Sequence, residues 1–111
     1  MKFGEIYFVD FDPSAGHEYK KARPAIIIQM EKIGDKSPLT TVMPLSSKVE
    51  KLWAHDIFIE KDNKNRLKKD SIVKVHQIST FDKSRFINKI GEVNSPAARK
   101  IRGYLRKHFG L

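Results

Sequence analysis

Residues 4–28 read GEIYFVDFDPSAGHEYKKARPAIII, two short apolar runs on either side of a polar loop. From Glu5 to Phe11 the pattern alternates. Tyr7, Val9 and Phe11 point one way, and Ile6, Phe8 and Asp10 the other, which is the period of a strand. Asp12-Pro13 and Ala15-Gly16 then break it. Pro24 to Met30 is nearly all apolar, as expected of a strand buried on both faces. The loop between them is too long for a tight hairpin turn, and loops of that kind usually carry function.

The pattern extends outward from this pair. Thr40 to Leu45 reads as a third strand, with Pro44 pointing to an edge or a bulge. His55 to Glu60 alternates, with Ile57 and Ile59 on one face. Lys61 to Lys69 is a charged loop. Ser71 to Ile78 reads as a further strand, and Phe86 to Val93 as the last, with Gly91 as a bulge position. Asp82 to Arg85 fits one helical turn. Ser95-Pro96 opens the one convincing helix, Ser95 as cap and Pro96 in the first turn. Ala98, Ile101, Leu105 and Phe109 then recur at three- and four-residue spacing. Six short strands and a C-terminal helix predict a mainly β fold, a small SH3-like barrel or strongly bent sheet, in one domain spanning 1–111.

Composition narrows the function. The 111 residues contain no cysteine, which excludes disulfides, thiolate catalysis and cysteine-bound zinc. No stretch approaches a membrane span, and no basic segment followed by an apolar one marks a leader, so a cytoplasmic protein is expected. The net charge is +9, dense at Lys20 to Arg23, Lys61 to Lys69 and Arg99 to Lys107. Such a field attracts polyanions, nucleic acid first, and acidic protein partners as well. The four histidines lack metal-ligand spacing, and neither a Walker loop nor a dinucleotide fingerprint occurs. No metal and no cofactor are expected.

Three clusters can carry chemistry. The first is His17, Glu18 and Arg23, with Lys20 and Lys21 beside them: a guanidinium that forks onto phosphate and two groups able to move protons. An ordinary ion pair of Glu18 within the loop explains the same residues. The second is Ser46-Ser47 after the third strand, able to donate to a phosphate oxygen or simply to satisfy a turn. The third is Lys74 and His76, on one face if the segment is a strand, followed by Gln77. That pair suits an anion, and histidine exchanges protons near neutrality.

In this order and spacing the clusters resemble the MazF/PemK (Kid) family of toxins from type II toxin–antitoxin pairs. Gly4-Glu5, Asp12-Pro13, Gly16-His17-Glu18 and Arg23-Pro24-Ala25-Ile26-Ile27-Ile28 carry the first part of the likeness. Met43-Pro44-Leu45-Ser46-Ser47 carries the second. His76-Gln77, Thr80-Phe81-Asp82, Lys83 and Arg85 carry the third, so that it spans essentially the whole chain. The resemblance implies an SH3-like barrel, a homodimer, and a metal-independent, sequence-specific endoribonuclease for single-stranded RNA. It also implies a cognate antitoxin whose acidic, disordered tail covers the RNA groove.

By position it makes Arg23 the transition-state arginine and puts Ser46 where the family has its threonine hydroxyl. Glu18 and Gln77 resemble RNA-site residues, and His17 and Glu5 match positions with roles in the Kid branch. His76 departs from the usual Asp or Glu, and Lys74 from the arginine of the Kid branch, so acid and base cannot be copied across. His76, His17 and Glu18 all stay open for that work. Ser47, Lys74, Lys20 and Lys21 join the expected RNA contacts, and Tyr19, Trp53 and Phe81 are candidates for base stacking. Two other functions fit the same barrel: nucleic-acid binding without cleavage, and a toxin directed at DNA gyrase.

Overall fold

The computed structural model describes residues 1–11, 22–31 and 36–111. His17, Glu18, Tyr19, Lys20 and Lys21 therefore lie outside the described residues. Seven strands are seen among those described: β1 (Glu5–Asp10), β2 (Ala22–Ile27), β3 (Leu39–Ser46), β4 (Ile57–Ile59), β5 (Ser71–Val73), β6 (Ser79–Asp82) and β7 (Phe86–Glu92). A 15-residue helix, Ser95–Phe109, follows. All pairings are antiparallel, in the order β4-β5-β3-β2-β1-β7, with β6 also on β3. The mainly β architecture with a terminal helix is as the sequence implies, although among the described residues the ladder does not close into a ring.

The alternation of β1 sorts its side chains as expected. Ile6 joins a core with Ile26, Met43, Leu45, Val73, Val75 and Ile101, against which Ala98 and Leu105 of the helix pack. Val9 joins a smaller core with Ala25, Ile27 and Val42, flanked by Tyr7, Phe11, Phe81 and Phe86. Ala25, Ile26 and Ile27 are fully buried, so β2 does lie between two apolar layers. It ends earlier than expected, however, and Met30 is 58% exposed.

Pro44 sits in a central strand rather than at an edge. The reason is a change of partner. Along one edge of β3, Leu39 to Val42 pair with β6, whereas Leu45 and Ser46 pair with β5. Pro44 falls at the junction, where its carbonyl accepts from Lys74 N–H at 2.9 Å. In a strand the N–H and C=O of one residue face the same edge, so the missing donor falls in the gap between two neighbours.

Two other expectations are corrected. The segment 71–78 is not one strand: β5 stops at Val73, Gln77 N–H donates to Lys74 C=O at 3.0 Å, and the chain restarts as β6. Lys74 and His76 therefore share a turn, not a strand face. The helix is capped by Asn94, whose side chain accepts from Ala97 N–H at 2.9 Å, and Ser95 is its first residue. The single turn at Lys83–Arg85 forms as read, with Asp82 accepting from Ser84 N–H at 2.8 Å. Register shifts in β1–β7 leave Ile87 and Ile90 without a β1 partner, the second beside Gly91.

Candidate active site

Arg23 is the second residue of β2, opposite Val9 on β1. Ser46 ends β3. Both open into a cleft of about 570 Å³. Its lining is apolar at Phe8, Pro24, Leu45, Leu67 and Ile90, and polar or basic at Ser47, Lys48, Arg66, Lys68, Lys69, Ser71, Lys74 and Gln77. Six cations thus line the cleft, and no carboxylate does among the described residues. Such a wall favours a polyanion over a neutral or cationic ligand.

Ser46 Oγ accepts from Lys48 N–H at 3.1 Å, which closes the turn after β3. A hydroxyl oxygen fixed in this way keeps its own O–H available as a donor. The turn-satisfying and ligand-binding readings of Ser46 are therefore compatible.

Lys74 is held from behind. Its Nζ lies 2.8 Å from Asp56 Oδ2, on a carboxylate only 1% exposed. The same oxygen accepts from Trp53 N–H at 3.1 Å. Burial pushes the Asp56 carboxyl up, but the Lys74 ammonium and the Trp53 amide outweigh it and hold the group below its ordinary value. Asp56 therefore stays ionised and fixes where the lysine charge sits.

In the sequence Lys61 to Lys69 reads only as a charged loop contributing to the overall positive field, with no residue of it assigned to the site. Delivery of its cations to the cleft depends on buried Asn65. Its Oδ1 accepts from the amides of Asp62 and Leu67, both at 3.0 Å, and its Nδ2 donates to Glu60 C=O at 2.9 Å. Asp62 Oδ1 accepts in turn from Lys64 and Asn65 N–H. Arg66 adopts φ 56, a left-handed conformation stabilised from both sides by this network. A buried asparagine inside a basic run was the one available signal.

Two expected site residues lie elsewhere. Glu5 is buried, bonded to Lys89 Nζ at 2.6 Å and to the Lys2 amide at 2.7 Å, and is absent from the cleft wall. His76 is also absent from it. It projects toward Trp53, His55 and Tyr104, with ring centroids 5.9, 6.2 and 6.5 Å away. Arg23, Ser46, Ser47, Lys74 and Gln77 are brought together. Among the described residues no three His, Asp or Glu side chains converge as a metal ion would need. No described helix is long and apolar enough to cross a membrane.

An antiparallel sheet with a C-terminal helix and a cationic cleft defines the class: a small, mainly β protein with a basic groove. Comparison with known proteins narrows it. Residues 2–109 match the model of the family described as PemK-like, MazF-like toxin of type II toxin-antitoxin system. The chain is 30% identical over its whole length to Endoribonuclease MazF of Staphylococcus saprophyticus, covering 92% of that protein. Its fold superposes on MazF of a MazE-MazF structure from Deinococcus radiodurans with a TM-score of 0.81 at 20% identity, covering 100% of this chain and 96% of that one. A second MazF structure from Deinococcus radiodurans gives 0.79 at 21% identity, covering 100% and 97%. The chain belongs to the PemK/MazF family of type II toxins.

Proposed function

We propose that this toxin is an endoribonuclease that cuts single-stranded RNA by attack of a 2′-hydroxyl on the adjacent phosphorus. One observation carries the reading. Arg23 from β2 and Ser46 from the end of β3, distant in sequence, line one cationic cleft that carries no carboxylate among the described residues. The name of the Staphylococcus saprophyticus relative supports the activity.

In this scheme the 2′-oxygen bonds to phosphorus and the bond to the 5′-oxygen breaks. The products are a 2′,3′-cyclic phosphate and a 5′-hydroxyl. The Arg23 guanidinium and the Ser46 O–H donate to the non-bridging oxygens as their charge grows. Lys48, Arg66, Lys68, Lys69 and Lys74 hold the flanking phosphates, with Ser47 and Gln77 adding neutral donors. A base must take the 2′-proton, and an acid must give one to the leaving oxygen. The described cleft wall contains neither carboxylate nor imidazole. That favours Glu18 and His17, which belong to the connection leading into Arg23, over His76. Neither step calls for a metal ion.

The partners follow the same reading. The MazE-MazF structures of the Deinococcus radiodurans relative support a cognate antitoxin. An apolar groove of about 470 Å³, walled by Ile28, Met30, Leu105, Phe109 and Leu111, supports a protein contact such as the homodimer.

The test is incubation of a defined RNA with purified protein in excess EDTA, followed by mapping of the cut ends. Arg23→Ala is expected to lose on the order of a hundredfold or more in rate, the scale of a lost charge-stabilising donor. An unchanged rate removes Arg23 from the site. A requirement for added divalent ion overturns the metal-free scheme.

A further inference from the structure

Trp53 is the chain's only tryptophan, and it stands 66% exposed. Burying so large a ring is ordinarily favourable, so its exposure calls for an explanation. Its backbone is not loose. Trp53 N–H donates to Asp56, and Asp56 N–H donates back to Trp53 C=O at 3.0 Å. His76 and His55 stand beside it, also exposed. Tyr104 of the helix closes the group, 6.4 Å from His55 and 6.5 Å from His76 between ring centroids. Four rings from three parts of the chain thus form one surface.

This surface adjoins the cleft. Lys74 Nζ, which lines the cleft, lies 5.9 Å from the Trp53 ring. Gln77, also in the cleft wall, follows His76 directly. Going outward from Ser46, the molecule presents a hydroxyl, then a cation, then flat rings. A single nucleic-acid strand carries the matching groups, with phosphate on its backbone and a π-face on every base.

We propose that Trp53 and His76, backed by His55 and Tyr104, form a stacking subsite for a base adjoining the phosphate held in the cleft. The proposal rests on the RNA reading above and adds to it a place where the substrate is gripped by its bases. Stacking on aromatic rings tolerates any base. The subsite therefore supplies affinity and alignment, and sequence choice lies elsewhere. The Lys74 cation beside Trp53 and the continuity of the rings with the cleft favour nucleic acid over an aliphatic peptide as the occupant.

Trp53 is its own probe. The full-length protein is titrated with a mixed-sequence single-stranded 2′-O-methyl oligonucleotide, which lacks the attacking hydroxyl and stays intact. Saturable quenching of tryptophan fluorescence is expected. An oligonucleotide with the same backbone and no bases should quench far less. Trp53→Leu should weaken binding of a labelled 2′-O-methyl oligonucleotide by about tenfold in fluorescence anisotropy, as loss of one stacked base would. Trp53→Phe should restore much of it, and thermal melts of both variants check that the fold is kept. Arg23-dependent binding with no change in Trp53 emission overturns the subsite and leaves the cleft reading intact. Emission that changes only with protein concentration overturns it too, and assigns the rings to a second copy of the chain. Failure of every oligonucleotide to bind overturns both readings together.

Discussion

Asp56 and Glu5 are nearly buried carboxylates that stay charged by the same means, each through its own partners. Burial pushes each carboxyl up, and in each a cation and a backbone amide reverse the effect: Lys74 and Trp53 for Asp56, Lys89 and Lys2 for Glu5. Both therefore titrate below their ordinary range in the folded protein. A carboxylate of this kind adds stability that is fully present above its unfolded pKa and is lost as pH falls through the folded one. Urea unfolding should accordingly show stability declining once pH drops below about 4. Asp56→Asn should flatten part of that decline, because the variant side chain has no proton to gain. An unaltered acid limb in the variant would show that Asp56 does not contribute to it. The sequence does not reveal the ion pair that holds Glu5, because its partner Lys89 lies 84 residues away.

At the scale of elements, the 60–71 loop and β7 depend on each other. Glu92 N–H donates to Lys64 C=O at 3.1 Å. A Cβ on Gly91 would lie 2.5 Å from Asn65 O and 2.6 Å from Lys64 O, both backbone atoms that cannot swing aside. Gly91→Ala should therefore cost about 1–3 kcal/mol, the scale of an overpacked interior. It should also weaken RNA binding, because Arg66, Lys68 and Lys69 ride on the displaced backbone. Thermal melts and an oligonucleotide titration of the same sample check both effects. The same scale shows what sequence could and could not reveal. β1, β2 and the apolar stripe of the helix were legible because their periods are local. The turn after β5 was not, because Val73 to His76 alternates into it and Ser71 to Ile78 contains no glycine, proline or asparagine. Nor was the route of the basic loop into the cleft, which depends on Asn65 meeting Gly91 across the fold.

The whole molecule is a cation, and the charge of +9 is focused where six basic side chains share one cleft. A single strand bound there must release counterions. A plot of log affinity against log salt should fall with a slope between about −2 and −4, up to six phosphate contacts each adding roughly 0.7. Lys69→Ala should make it shallower by about one such increment. A flat plot would mean that the strand is not held by its backbone. Arg23-Pro24 and Ser46, which line the cleft, stand out in the sequence because each follows or opens an apolar run. The proton-moving groups stand out less. His76 suggested itself by a strand that does not form, and it stands with Trp53 instead.

Strand β3 is bonded to three others, and the cleft takes lining residues from two of them, β2 and β5. Its lining runs in sequence from Phe8 to Ile90. A ribosome that has not yet translated Ile90 therefore carries a polypeptide with no finished groove. The poison gains its complete edge only once that last strand has left the exit tunnel.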